Sequence, residues 1–413
     1  MTPVREAAAF LGGATLPALI ATGRVIVSDF NNDGKADVAI GTKVFLGKGD
    51  GSFGEGLEIP GKAEVLAAAD FNRDGYADLV TGEGILLGRG DGTFAAPIAM
   101  DGDAVSFVAG DFDGDGILDL AGLSSNGQLR IWPGKGDGTF APYSVIRSSG
   151  ARAVIADDFN GDARADLALI ERDSVVLLLN DGHGVFGASA IPVPGAVELA
   201  SGDLNLNVDG LPDLVVSAEG AVYVILSQGQ SAQRYDSAGG HPLIADVDGD
   251  GVPDVLLAGS TIGMLRGNGD GTLQAWVDLT GEAMNSQRGT AAAADFDGDG
   301  RIDLALAYCC SAAGIRLGAD ATSGPVINGG PSPGEVGASY SASFNVSNGT
   351  PPYIISGTGP SGLGFTQTGP STASISGIPQ SDGSFQIYLQ VTDAAHKTGS
   401  SIFQVTIYKR VSI

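Results

Sequence analysis

The sequence predicts an all-β fold, and three observations predict it. A nine-residue acidic pattern occurs seven times, most clearly from Asp295 to Asp303, and each copy runs into an apolar stretch of strand type. The copies recur every 41 to 49 residues, a period typical of four-stranded repeat units. After residue 325 the pattern is absent, and polar and apolar residues alternate as in sandwich strands. Together these observations predict a seven-bladed β-propeller followed by a β-sandwich.

The acidic copies have the side chains that a hard cation needs. Within each copy, carboxylate or carboxamide groups fall at positions 1, 3, 5 and 9, with Gly usually at position 6. Alternate residues of a curled loop can turn their oxygens inward, and Gly permits the bend, so Ca²⁺ is the ion that fits best. Asp, Asn and Gly also form simple turns, but seven copies in register disfavour that interpretation. An EF-hand is excluded, because the twelfth residue is Ile40, Gly122 and Leu306 in three copies.

Each repeat reads as four short strands. In the second repeat the small residues 65–69 enter the acidic loop, residues 77–80 leave it, and residues 85–87 and 94–100 follow. A second motif of the type Gly-Lys-Gly-Asp-Gly-Thr-Phe precedes the last strand of several repeats, and Asp-Gly between apolar runs predicts a tight hairpin. The tripeptide Arg89-Gly90-Asp91 is one of these turns, so we interpret it as structural rather than as an adhesive motif.

The seventh repeat stops early, after Asp320. Residues 10–17 have the Phe-to-Pro spacing of an outer strand and no repeat of their own, so we expect them to close the seventh blade. Residues 7–21 also resemble a signal-peptide core, although Gly12, Gly13 and Pro17 interrupt the run. We expect residues 1–320 to form the propeller, residues 321–324 a linker and residues 325–413 the sandwich.

The composition excludes some partners. With a formal net charge of −26, the chain is not expected to bind nucleic acid or to insert into an anionic membrane. It has no run of eighteen apolar residues, so no transmembrane helix is predicted. Weak calcium loops fill at extracellular calcium levels, so we expect an extracellular, cell-surface or periplasmic monomer.

Catalytic signals are sparse. The three His residues lie in different elements, and no nucleophile-elbow or metalloprotease motif occurs. We therefore expect no enzyme, with a propeller-based polysaccharide-acting enzyme (lyase-like) as the alternative. The adjacent Cys309 and Cys310 could form a vicinal disulfide or remain free thiols.

The acidic loops and Gly-Asp-Gly turns resemble the FG-GAP/VCBS repeat family, which includes the propeller heads of integrin α subunits. The resemblance covers about residues 1–320 and implies calcium in the loops. In the fourth loop Ala163 replaces the Gly, and in the fifth, with its two-residue insertion, either Asp203 or Asn205 could be the first ligand. The implied ligands are Asp29, Asn31, Asp33, Asp37; Asp70, Asn72, Asp74, Asp78; Asp111, Asp113, Asp115, Asp119; Asp158, Asn160, Asp162, Asp166; Asp203 or Asn205, Asn207, Asp209, Asp213; Asp246, Asp248, Asp250, Asp254; and Asp295, Asp297, Asp299, Asp303.

The segment from Ser361 to Asp393 is similar to bacterial immunoglobulin-like domains of surface proteins, which can serve as spacers. We expect a calcium-binding protein of binding or adhesion function, with a glycan or protein ligand; a structural spacer is a further alternative. The longer connections on the face opposite the acidic loops supply the candidate ligand-binding residues Arg147, Arg152, Arg172, His241, Asn285, Arg288 and Tyr308.

Overall fold

The computed structural model describes residues 9–16, 24–61, 63–205, 210–227, 231–248, 250–259, 261–279, 290–308, 312–319, 326–329, 331, 333–347, 353–392 and 398–409. These residues form strands and turns, and no helix occurs among them. Contacts divide the chain into two compact units, Gly13–Gly318 and a second unit of Ala319–Ile413 with Met1–Gly12.

The first 27 strands, up to residue 319, form small sheets, and apart from β1 the strands of each sheet follow one another in the chain. They are β1 (Ala9–Leu16), β2 (Val25–Ser28), β3 (Asp37–Ile40), β4 (Lys43–Phe45), β5 (Leu57–Glu58), β6 (Val65–Ala69), β7 (Asp78–Thr81), β8 (Gly84–Leu86), β9 (Ser106–Gly110), β10 (Asp119–Leu123), β11 (Gln128–Trp132), β12 (Ser144–Ser148), β13 (Ala153–Asp157), β14 (Asp166–Glu171), β15 (Ser174–Asn180), β16 (Phe186–Pro192), β17 (Ala196–Gly202), β18 (Asp213–Ala218), β19 (Ala221–Ile225), β20 (Gln233–Asp236), β21 (His241–Ala245), β22 (Asp254–Ala258), β23 (Ile262–Leu265), β24 (Val277–Asp278), β25 (Thr290–Ala294), β26 (Asp303–Tyr308) and β27 (Ala312–Ala319).

Each repeat of the sequence corresponds to one sheet. The first sheet is β2-β3-β4-β5, the second β6-β7-β8, and the third to sixth are β9–β12, β13–β16, β17–β20 and β21–β24. The seventh has the order β1-β27-β26-β25, so the strand from the start of the chain lies beside the last strand of the seventh repeat. The predicted all-β class and the repeated propeller-type sheets are confirmed.

Among the described strands, the first strands of the seven sheets form a closed ring. β2, β6, β9, β13, β17, β21 and β25 contact one another in this order, and β25 contacts β2. Their residues are small where the sheets crowd together, as in the run Ala67–Ala69 and in Thr290–Ala294.

The core lies in layers between neighbouring sheets. Phe45 and Phe296 share the layer between the first and seventh sheets, and Phe30, Leu79 and Phe94 share the next layer. The second strand of a sheet is covered on both faces; every residue of β3, β7, β10, β18 and β22 is buried. This explains why second strands are continuous apolar runs instead of alternating ones.

The second unit contains two four-stranded sheets, β28-β30-β33-β32 and β29-β35-β34-β31, which share one core. Phe344 and Ile375 enter the core from the first of these sheets and Ile387, Leu389 and Val405 from the other. The immunoglobulin-like assignment stays a prediction. The strands are β28 (Val326–Gly329), β29 (Gly334–Glu335), β30 (Tyr340–Ser347), β31 (Ile354–Thr358), β32 (Leu363–Gln367), β33 (Thr372–Gly377), β34 (Gly383–Thr392) and β35 (Thr398–Tyr408).

Candidate metal loops and the central cavity

Each acidic loop is held by hydrogen bonds from its own backbone. In the first loop the N–H groups of Asp33 and Gly34 donate to the two carboxylate oxygens of Asp29 at 3.1 and 2.7 Å, and Asp33 also donates to Asn31. The N–H of Lys35 donates to Asp33 at 3.0 Å. The same pattern recurs at Asp70, Asp158 and Asp246. These bonds fix the side chains at positions 1, 3 and 5 before any ion binds.

Two left-handed residues produce the curl of the loop. Position 6 has φ of +80° at Gly34 and +86° at Gly75, and position 4 has φ of +58° at Asn32 and +61° at Arg73. Ala163, which replaces the Gly of the fourth loop, also has a positive φ, +63°. A side chain there costs about 1–2 kcal/mol relative to right-handed backbone. The fourth loop therefore keeps the shared geometry in spite of its strain.

Three loops bring three carboxylates together. Asp111, Asp113 and Asp115 each offer an oxygen, and these oxygens lie within 4.8 Å of one another. Equivalent groups form in the sixth and seventh loops, from Asp246, Asp248, Asp250 and from Asp295, Asp297, Asp299. Three carboxylates this close repel one another strongly unless a cation lies among them. Loops one, two and four have Asn at position 3, an oxygen ligand of equal reach but without charge.

The fifth and sixth loops depart from the common pattern. Leu204 is buried in the fifth loop and donates its N–H to Asp213 at 3.0 Å, as the loop Phe does elsewhere, which puts Asp203 at the first position. Asn207 and Asp209 lie outside the described residues. In the sixth loop the guanidinium of Arg266 lies 3.2 Å from the carboxylate of Asp248, so part of that negative charge is balanced from within the protein.

The ninth-position carboxylates have a structural role that the sequence did not reveal. Asp119 is buried and accepts hydrogen bonds from the N–H groups of Phe112 at 2.9 Å and Gly134 at 2.7 Å. It thus connects the loop to the end of the third strand. Burial raises the pKa of four of these groups to about 6, because desolvation outweighs the backbone hydrogen bonds. All seven are buried: Asp37, Asp78, Asp119, Asp166, Asp213, Asp254 and Asp303.

Gly-Asp-Gly turns attach the first, second and seventh loops to the neighbouring sheet. The N–H of Gly92 in the second sheet donates to the carbonyl of Phe30 in the first loop at 3.0 Å, and the rings of Phe94 and Phe30 pack edge to face at 5.8 Å. The same contact joins Gly51 to Phe296 between the first and seventh sheets. We call the end of the ring that carries these loops and turns the loop rim.

The Arg89-Gly90-Asp91 tripeptide is one of these turns. Its Asp91 carboxylate accepts hydrogen bonds from the N–H and the hydroxyl of Thr93 at 2.9 and 2.6 Å. A side chain at Gly90 would meet the ring of Tyr76. The residues therefore serve the hairpin, as the sequence indicated.

A cavity of about 790 Å³ lies inside the ring of first strands, and all seven of these strands contribute to its wall. Its polar residues lie at or beside the starts of the strands, away from the acidic loops that follow the strand ends. We call this end the mouth. Two predicted ligand-binding residues, Arg152 and His241, lie here.

The other predicted ligand-binding residues are not among those that line the cavity. Arg147 pairs with Glu171, to which its Nη2 donates at 3.1 Å. The carbonyl of Arg172 accepts a hydrogen bond from Arg152. Asn285 and Arg288 lie outside the described residues, as does the side chain of Tyr308. Cys309 and Cys310 lie outside them too.

Sequence reasoning missed four polar residues at the mouth, Arg24, Ser106, Glu198 and Thr290. A positional signal existed. The fifth residue before the first Asp of a loop is Arg24, Ser106, Glu198, His241 and Thr290 in five of the seven repeats. The residue types differ, so no motif connects them, but the register places all five at or near the starts of their strands.

The mouth residues contact one another across sheets. Arg24 donates to the hydroxyl of Ser106 at 2.7 Å and to the carbonyl of Leu66 at 3.4 Å. Nδ1 of His241 is paired with a carboxylate oxygen of Glu198. Burial lowers the pKa of the Arg24 guanidinium, and the charge of Glu198 partly offsets this; arginine remains charged at neutral pH.

Comparison with known families agrees with the loop geometry. The model of the FG-GAP-like repeat matches residues 29–81, 111–169, 205–257 and 246–306, more than half of the chain. The chain belongs to the FG-GAP-like repeat family. No curated protein sequence matches it significantly.

Solved structures resemble this FG-GAP-like chain at low identity. A lectin from Agrocybe aegerita, described for its specific recognition of non-reducing terminal N-acetylglucosamine, is 19% identical with a TM-score of 0.53, over 74% of this chain and 96% of the lectin. BBS1N, crystallised in complex with ARL6DN, is 13% identical with a TM-score of 0.50, over 76% of this chain and 97% of BBS1N. At such identities the likeness shows the fold alone. Among the described residues, no helix is long and apolar enough to span a bilayer.

Proposed function

We propose that this FG-GAP-like chain is a calcium-binding extracellular protein of binding or adhesion function, whose propeller recognises a glycan or protein ligand. The observation that carries the proposal is the convergence of three carboxylates in each of three loops, with oxygens within 4.8 Å of one another. The repeat-propeller fold is consistent with a non-enzymatic binding role.

Calcium is favoured over other ions by the donor set. Every candidate ligand side chain is a carboxylate or a carboxamide, and no His or Cys occurs at the ligand positions of the loops. Oxygen donors suit Ca²⁺ and Mg²⁺, whereas transition metals prefer nitrogen and sulfur. The loops offer many oxygens in a curled backbone, which suits the looser coordination of Ca²⁺ better than the octahedron of Mg²⁺. We expect five to seven ions per chain.

An extracellular setting follows from the same chemistry. Loops that bind calcium weakly fill only where its concentration is high, about 10⁻⁴–10⁻³ M for extracellular modules. The structural likeness to a lectin motivates a glycan as ligand. The chain itself would act as a monomer, with its sandwich unit as a spacer.

Metal analysis tests the calcium proposal. Protein equilibrated with millimolar calcium should carry at least five Ca²⁺ by mass spectrometry, and Asp115→Ala should lose one of them. Asp137→Ala is the matched control, since Asp137 lies in the Gly-Asp-Gly turn of the same sheet and its described side-chain hydrogen bonds are with Thr139. Absence of bound calcium, or equal loss in both variants, contradicts the assignment.

A binding screen tests the second half of the proposal. Glycan and extracellular-protein arrays probed with and without calcium should give hits that need calcium. Depolymerisation of a polysaccharide by the purified protein would instead favour an enzyme.

A further inference from the structure

The mouth of the central cavity carries an unusual charge for this protein. The chain has a formal net charge of −26, yet two guanidinium groups, Arg24 and Arg152, face a single carboxylate, Glu198, at the mouth. His241 is paired with the same carboxylate. Among the residues that line the cavity, two guanidinium groups thus stand against one carboxylate, a formal excess of positive charge even with His241 neutral.

The cations are held in place by contacts between different sheets. Arg24 directly precedes the first sheet and donates to Leu66 of the second and Ser106 of the third. Arg152 precedes the fourth sheet and donates to Ala196 of the fifth at 3.3 Å. A guanidinium has five N–H donors in a fixed plane, and the described contacts use two of them in each residue, so three donors of each guanidinium are left for a planar anion. These positive groups are therefore preorganised.

The cavity has the size and the mixed lining of a small-molecule site. Its volume of about 790 Å³ lies within the range of roughly 300–1,000 Å³ usual for ligand pockets. Below the polar mouth the wall is aliphatic, with Ile26, Ala68 and Ile155 among its residues. Groups that accept hydrogen bonds, Glu198 and the Ser106 hydroxyl, lie beside the cations.

We propose that this cavity binds the carboxylate of an acidic sugar, with Arg24 and Arg152 as its cationic partners. Glu198 selects against ligands with several negative charges and accepts hydrogen bonds from hydroxyl groups, so the site fits a molecule with one carboxylate and neighbouring hydroxyls. A uronic acid residue at the end of a glycan has this combination. The inference rests on the proposed glycan-binding function and narrows it to acidic glycans bound at the end opposite the calcium loops.

Calorimetric titration of the calcium-loaded full chain tests the inference. The probes are a short oligosaccharide ending in glucuronate or galacturonate, its methyl ester and a neutral oligosaccharide of equal length. We expect the acid to bind at least 10-fold more tightly than the ester, because esterification removes the charge and leaves the sugar ring and its hydroxyl groups unchanged. Arg152→Gln and Arg24→Gln should each lower the affinity at least 10-fold, whereas Arg89→Gln, on the loop rim, should not change it.

Arg152 is exposed, so Arg152→Gln should fold even if Arg24→Gln does not; calcium content and melting temperature verify this. Equal affinity for acid and ester, absence of uronate binding, or unchanged affinity in Arg152→Gln overturns the inference. A short acidic peptide that binds as tightly and depends equally on Arg152 would also overturn it in favour of a peptide ligand. The proposed function is judged separately, since calcium stoichiometry and array hits for neutral glycans or proteins do not depend on this outcome.

Discussion

The two ends of the propeller are built on opposite principles. At the loop rim the first position of the loop is Asp in every repeat, as at Asp29, Asp70 and Asp111, and the same backbone contact joins neighbouring sheets at three places. At the mouth the corresponding register positions carry different residues, such as Arg24 and Glu198. Repetition therefore marks the end that holds the ring together, and departure from repetition marks the end where a specific ligand can be distinguished.

Removing β1 should have the largest effect, because it takes a whole strand from the seventh sheet. β1 lies beside β27 in the seventh sheet, so deletion of residues 1–20 leaves a strand edge unpaired. We expect aggregation or a large fall in melting temperature, measured by size-exclusion chromatography and calorimetry. A truncated protein as soluble and stable as the full chain would mean that residues 10–17 are not needed to complete the seventh blade and would support the signal-like interpretation.

Calcium removal should have the next largest effect and should act on the loop rim. An ion that binds only the folded loop, held at 100 times its dissociation constant, stabilises the fold by about 2.7 kcal/mol per site. A chelator should therefore lower the melting temperature clearly, and added Ca²⁺ should restore it better than Mg²⁺. An unchanged melting curve in chelator would mean that calcium in the loop rim does not stabilise the fold.

Comparing Asp119 with Asp115 should separate the two roles of loop carboxylates. Asp119→Ala leaves the buried N–H groups of Phe112 and Gly134 without their acceptor, and each such loss costs about 1–3 kcal/mol. We expect this destabilisation in denaturant titrations even in chelator. Asp115 is exposed, so Asp115→Ala should destabilise the protein mainly when calcium is present. Equal effects of Asp119→Ala and Asp115→Ala in chelator would contradict the structural role of Asp119.

The smallest effect on stability should come from the mouth. Arg152 is exposed and donates only to backbone carbonyls among its described hydrogen bonds, so Arg152→Gln should change the free energy of unfolding by about 0.5 kcal/mol or less. The measurement is a denaturant titration with calcium present, with Arg89→Gln as the control at the other end. A large fall in the free energy of unfolding in Arg152→Gln, but not in Arg89→Gln, would mean that the mouth serves stability and not ligand binding.

The sequence predicted the loop rim far better than the mouth, for a physical reason. Seven copies of one loop reinforce a weak signal, so the oxygens of Asp111, Asp113 and Asp115 could be expected to converge. Arg24, Ser106 and Glu198 are single polar residues of different types, and only the strand register brings them to one cavity. Nor does residue type disclose that Asp119 is buried, or that Gly92 donates to Phe30, because both facts depend on how neighbouring sheets pack.

The closed ring has a consequence for unfolding. A linear repeat protein has terminal repeats from which disorder can spread, whereas each sheet of the ring has neighbours on both sides. To leave the ring, a sheet must break its interfaces with both neighbours at once. Unfolding should therefore be more cooperative than in a solenoid of equal length. The first and last strands of this run of sheets meet in the seventh sheet, where β1 lies beside β27. At high concentration that sheet is the place where β1 of one molecule could replace β1 of another, which would link two propellers by strand exchange.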